Sequence, residues 1–116
     1  MELHINSLYL CVKDMDRAIK FYEKLFEQKV IERNDIYSVF NINGFRLGLF
    51  AYEKANEPHT FGNNCLPSIS TKSIDVLKMK LTGKEICFPV TRINDNWVAE
   101  FVDSEGNHIE ITAPAK

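Results

Sequence analysis

The spacing of apolar and polar positions divides this chain into short elements. Residues 8–12, LYLCV, form a compact apolar run that stops at Lys13-Asp14 and reads as a strand. Behind it Met15, Ala18, Ile19, Tyr22, Leu25 and Phe26 recur every three or four residues, which predicts a helix of about three turns with one apolar stripe. Asp14 suits its N-cap, and Asp16 falls in the electropositive first turn. Lys20, Glu23 and Lys24 take the wet face. Three strand candidates follow at 29–32, 36–42 and 45–50, parted by the turn signals Asn34-Asp35 and Asn43-Gly44. In the last of them Phe45, Leu47 and Leu49 share one face, and Arg46, Gly48 and Phe50 share the other.

Residues 52–64 break the pattern with Pro, Gly and several Asn, and read as a loop joining two halves. His59 and Phe61 lie in it, either as part of a mobile cover over a ligand or as ordinary surface. The second half repeats the order of the first. A strand at 65–71 is broken by Pro67, which suggests an edge or a bulge. Ser73 caps a helix with Ile74, Leu77 and Leu81 at helical spacing, ended by Thr82-Gly83. Strands at 85–91 (interrupted by Pro89), 97–102 and 108–112 follow, with Asn94-Asp95 as one turn. Asp103-Ser104-Glu105-Gly106-Asn107 is the other, because Asp favours the first turn position and Gly accepts the later positive φ. In the closing strand Ile109 and Ile111 point one way, while His108, Glu110 and Thr112 point the other. The expectation is an α+β fold of one domain, 1–116, built from two βαβββ modules at 1–51 and 65–113 around the connecting loop 52–64. A helix covers one face of each sheet, and the other faces form an open, cleft-bearing mixed sheet.

Composition narrows the function classes. A length of 116 residues suits one domain, and 45% apolar with 26% charged content is ordinary for a globular protein. Net charge is −2 with no basic block, which argues against nucleic acid. The apolar runs are too short to span a bilayer, and MELHINS is unlike a signal peptide, so a cytoplasmic setting is expected. Cys11, Cys65 and Cys87 form no CxxC pair, which disfavours a zinc ribbon or dithiol site. They read as buried reduced thiols; a catalytic cysteine would need a low-pKa setting.

YLCVKDMDRAIKFYEKLF near the start and AEFVDSEGNHIEIT near the end resemble the vicinal oxygen chelate superfamily, which contains glyoxalase I, extradiol dioxygenases, fosfomycin-resistance enzymes and bleomycin-resistance binding proteins. The first stretch is similar to a strand-to-helix opening V-x-D-x-x-x-x-x-x-F-Y. The second is similar to a closing hairpin D-P-D-G-N-x-x-E, with Ser104 in place of Pro and Glu105 in place of Asp. In metal-dependent members the resemblance implies His or Glu ligands at four strand positions. Carried onto this chain they fall on Ser7, Gly48, near Leu66 and on Glu110, and only Glu110 matches.

One carboxylate with no converging imidazole holds a divalent ion weakly. The resemblance therefore implies a metal-free binding protein of the bleomycin-resistance type that sequesters a small organic ligand of aromatic or cationic character, with catalysis left open. Its cleft residues would be Ser7, Tyr9, Cys11, Arg46, Phe50, Leu66, Ser68, Ser70, His108, Glu110 and Thr112, with Trp97 either stacking on ligand or packing in a core or dimer. Glu110 has two readings: direct ligand contact, or an ion pair with Arg46. The alternatives are a metal-dependent glyoxalase-like lyase or dioxygenase that binds Zn, Ni, Mn or Fe through Glu110 with His108 or His59, and a non-catalytic module with a collapsed cleft. By the same resemblance the chain is expected to be a homodimer.

Overall fold

A computed structural model describes residues 3–58, 60–62 and 65–116. It divides into two compact units, 1–60 and 61–116, each an α+β arrangement of one mixed sheet and one long helix. Unit 1 contains β1 (Leu8–Cys11), α1 (Met15–Phe26), β2 (Tyr37–Ile42), β3 (Phe45–Phe50) and a 3-10 turn, Tyr52–Ala55. Unit 2 contains β4 (Ser68–Ser70), α2 (Ile74–Leu81), β5 (Glu85–Ile93), β6 (Asn96–Val102) and β7 (His108–Pro114).

Local chemistry sets most of these boundaries. Arg17 N–H donates to Asp14 Oδ1 at 3.0 Å, so α1 starts where the acidic cap stands. Val76 N–H donates to Ser73 Oγ at 3.2 Å and starts α2 in the same way. The β2–β3 hairpin turns on Asn43 and Gly44, both at positive φ (51° and 91°), the pattern of a two-residue turn whose twist matches its strands.

In unit 1 the order is β1-β3-β2, with β3 parallel to β1 and antiparallel to β2. The pleat sends Leu10, Leu47, Leu49, Ser38 and Phe40 to one face, all buried, and α1 closes that face with Tyr22 and Phe26 against Phe40. The lone polar member, Ser38, is satisfied by Asn34, donating to its carbonyl at 3.0 Å and accepting from its N–H at 3.1 Å. Residues 29–32, expected as a strand, make only an isolated bridge between Glu32 and Val39. Val30 N–H is diverted to Glu23 Oε2, and Ile31 and Glu32 N–H converge on the single Val39 carbonyl, so no ladder propagates.

In unit 2 the order is β4-β7-β6-β5, with only β4–β7 parallel. Ile109, Ile111, Ala113, Ala99 and Phe101 share the buried face, and α2 packs on β7 with Leu77 and Leu81 buried. Pro67 falls just before β4, and its carbonyl accepts from Glu110 N–H at 2.8 Å. Pro89 is carried inside β5 because β5 is an edge strand whose pairing with β6 shifts twice. The closing hairpin turns on Asp103, only 6% exposed, whose Oδ1 accepts from the N–H groups of Glu105 and Asn107 at 2.8 Å each. All three cysteines are free thiols, but only Cys11 is half-buried. Cys65 and Cys87 are exposed, contrary to the expectation of buried thiols, since one precedes β4 in a bend and the other lies on the edge strand. Among the described residues no helix is long and apolar enough to cross a membrane.

Candidate functional site

The face of the unit 1 sheet opposite α1 is aromatic. Tyr9 and Gly48 are register partners on the parallel pair β1–β3, and Cys11 pairs with Phe50. On the other side Tyr37 pairs with Phe50. Tyr37 and Phe50 stack with ring centroids 4.9 Å apart and planes within 7°, while Tyr9 meets Tyr37 edge-on at 5.7 Å. Tyr9 and Tyr37 remain 42% and 48% exposed, so this cluster presents ring surface instead of closing into a core. A Cβ added at Gly48 would stand 2.3 Å from Tyr9 Cδ2 and 2.4 Å from Cε2; the ring lies directly on the glycine. Burial first, and the Glu57 carboxylate second, push the Cys11 thiol above its ordinary value. At the end of the face Arg46 Nε donates to Ser7 Oγ at 3.3 Å, and its guanidinium pairs with Glu32 at 2.9 Å.

The face of the unit 2 sheet opposite Ile109 and Ile111 is polar. Ser68, Glu110 and Glu100 are successive register partners across β4, β7 and β6, and Ser70, Thr112 and Val98 form the next row. Ser68 Oγ donates to Glu110 Oε1 at 2.5 Å. His108 stands two residues earlier on the same face. Burial first, and the Glu100 carboxylate second, push the Cys87 thiol up.

The expected site residues thus separate into two sets. Ser7, Tyr9, Arg46 and Phe50 lie together in unit 1, and Ser68, His108 and Glu110 lie together in unit 2. Within unit 1 Arg46 pairs with Glu32, and within unit 2 Glu110 accepts from Ser68. Trp97 does not join Glu110, because its register partner is Ala113 and it shares the face of Ile111 and Phe101. Leu66 is exposed just ahead of β4, and Ser68, not Leu66, is the residue opposite Glu110. His59 lies outside the described residues. Tyr37, Glu100 and Cys87 are additions. Tyr37 could have been found by extending the Gly48–Phe50 parity across the Asn43-Gly44 hairpin, whereas Cys87 and Glu100 meet through the register of β5 on β6, which alternation within either strand does not fix.

Two small mixed sheets, each with a parallel strand pair and one covering helix, define a class of paired-module α+β proteins. The chain belongs to the Glyoxalase/Bleomycin resistance protein/Dioxygenase superfamily, whose sequence model matches residues 4–116. Among solved structures it is similar to a glyoxalase/bleomycin resistance protein/dioxygenase family enzyme from Burkholderia phytofirmans, with 17% identity, TM-score 0.81 and coverage of 94% of this chain and 97% of that one. It is also similar to a lactoylglutathione lyase from Agrobacterium tumefaciens, at 16% identity and TM-score 0.74 over 95% of this chain and 92% of that one. A third, a glyoxalase/bleomycin resistance protein/dioxygenase from Nocardioides, has 18% identity and TM-score 0.76 over 100% and 86%. At these identities the likeness establishes the fold.

The four metal positions that the resemblance implies do not fit an ion here. Ser7 is already the acceptor for Arg46, Gly48 has no donor and lies under the Tyr9 ring, and Leu66 has an aliphatic side chain. Glu110 alone is a metal-binding type at its position, and it is hydrogen-bonded to Ser68.

Proposed function

We propose that this chain is a small-molecule-binding protein of the bleomycin-resistance kind, which sequesters a planar organic ligand of aromatic or cationic character without a metal at the superfamily's ligand positions. The observation that carries the reading is the Tyr9–Tyr37–Phe50 cluster spread over Gly48, with two of its three rings more than 40% exposed. Ring faces of this kind stack on planar ligands at about 0.5–1.5 kcal/mol per pair and attract cations through their quadrupoles. The Glu57 carboxylate near Cys11 adds negative charge beside the cluster, which favours a cationic ligand, while the charge of Glu32 is offset by Arg46. Sequestration needs no bond-making group, only preformed shape and a slow off-rate. The reading includes a cytoplasmic setting and a homodimer, for which the exposed Phe45, Ile86 and Ile93 offer apolar contact surface; sedimentation equilibrium reads the latter directly.

The test is a thermal-shift screen of planar aromatic compounds in cationic and neutral forms, followed by calorimetry. A ligand at a hundred times its Kd raises stability by about 2.7 kcal/mol. Binders should lose about tenfold in affinity in Tyr37→Ala and more in the Tyr9→Ala/Tyr37→Ala double variant. Equal affinity in wild type and double variant would remove the aromatic face from the reading.

A further inference from the structure

Three adjacent strands of unit 2 bring together side chains that the binding reading does not use. Cys87 Sγ on β5, a Glu100 carboxylate oxygen on β6 and a His108 imidazole nitrogen on β7 all lie within 4.8 Å of one another. The strand register explains it. Ile86 pairs with Phe101 and Phe88 pairs with Glu100, so Cys87 is the extra residue on β5. The Ile86–Phe101 register already sets Cys87 opposite Glu100, and the bulge leaves Cys87 and Phe88 sharing that one partner. On β7 the diagonal neighbour of Glu100 is His108, because Glu100 pairs with Glu110 two residues on. Glu100 and His108 are both half-buried, and neither side chain has a hydrogen bond or ion pair among the described residues.

We propose that Cys87, Glu100 and His108 bind one divalent cation of the zinc class on the face of β5, β6 and β7 opposite Phe101 and Ile109, with a fourth coordination position left open. Thiolate, imidazole and carboxylate are the zinc donor set, and three protein ligands with one open position is the pattern of reactive rather than structural sites. Donors on one tetrahedral zinc ion stand about 3.5 Å apart, a closure that side-chain torsions supply from the observed spacing. Charge also balances: the thiol binds as thiolate after releasing its proton to solvent, and with Glu100 it matches the two positive charges of the ion. The site is separate from the four positions implied by the resemblance, since it includes none of Ser7, Gly48, Leu66 or Glu110.

The experiment is titration of the purified, demetallated full chain with Co2+ and, by competition with a chromophoric chelator, with Zn2+. One equivalent of Co2+ should bring up a thiolate-to-cobalt charge-transfer absorption. Cys87→Ser should abolish that absorption, and Glu100→Gln and His108→Gln should each weaken Zn2+ binding by about a hundredfold, at or beyond the effect of losing an outer-shell partner. Cys65→Ser and Glu110→Gln should keep the absorption. Cys87 is exposed and Glu100 half-buried, so two independent ligand variants are available should one lose the fold, which backbone amide spectra will show. The proposal is overturned by wild-type protein that gives no charge-transfer absorption, by absorption that survives in folded Cys87→Ser, or by binding that is lost in Glu110→Gln but kept in Glu100→Gln.

Discussion

Gly48→Ala is the sharpest perturbation of the aromatic face. The added Cβ would meet Tyr9 Cδ2, Cε2 and Cγ at 2.3, 2.4 and 2.8 Å, against an ordinary carbon contact of about 3.5–4.0 Å. Overlap of more than about 1 Å with two ring atoms cannot be absorbed by small shifts, so the ring must swing outward. Overpacking of this order costs about 1–3 kcal/mol, and replacing a mid-strand glycine returns about 0.5–1 kcal/mol of backbone entropy. The net expectation is a loss of about 1–2 kcal/mol, or roughly 4–8 °C in Tm for a domain of this size. Urea unfolding of wild type, Gly48→Ala, Tyr9→Ala and the double variant forms a complete cycle. Without the Tyr9 ring the same glycine substitution should become neutral or stabilising by about 0.5 kcal/mol, a coupling of about 2 kcal/mol. The displaced ring should also lower affinity for planar ligands. Additive effects of the two substitutions, or a Gly48→Ala protein as stable as wild type, would refute the contact and the assignment of this face.

Two further outcomes follow from buried groups. Asp103→Ala removes the acceptor of two backbone N–H groups at 2.8 Å and of Asn107 Nδ2 at 3.2 Å in a buried turn, and should cost about 2–4 kcal/mol in chemical unfolding, with Asp103→Asn costing less. The Cys11 thiol, pushed above its ordinary 9.0 mainly by burial and then by Glu57, should be alkylated by iodoacetamide only at higher pH than a free thiol, and Glu57→Gln should recover the smaller part of that shift. The sign for stability is fixed: this thiol's contribution is complete below 9.0, where both states hold the proton. It is lost as pH rises toward the higher folded value, because the unfolded chain ionises first.

Features decided within a few residues were legible in the sequence. Asp14 and Ser73 announce their helices because a cap needs only the N–H three residues on, and Asn43-Gly44 announces its hairpin because the positive φ pair is local. Glu110 could be placed on a polar face by alternation alone. Features that depend on a partner strand were not legible. Residues 29–32 have strand-like composition, but pairing needs a free ladder, and Glu23 and Val39 divert it. Cys87 and Phe88 share Glu100 as partner at a bulge, a two-against-one pairing that the register of β5 on β6 decides. Trp97 is an intermediate case: once Val102 is set opposite His108, counting back five residues puts Trp97 opposite Ala113 and away from Glu110.

Both units solve the same problem, a parallel strand pair that sets two side chains shoulder to shoulder on the face away from the helix, with opposite chemistry. At β4–β7 the pair is Ser68 and Glu110, a short donor beside a carboxylate, and the two satisfy each other by a hydrogen bond. At β1–β3 the pair is Tyr9 and Gly48, a broad ring that requires an empty neighbour. A donor side chain at position 48 and the ring at position 9 exclude each other, since even the first carbon of such a side chain would stand 2.3 Å from the ring. The missing metal ligand on β3 and the aromatic surface over it are therefore a single structural choice. A superfamily metal centre in this chain would require removing Tyr9 before any ligand could be supplied at position 48, and with Tyr9 would go the edge-on contact that braces the Tyr37–Phe50 stack.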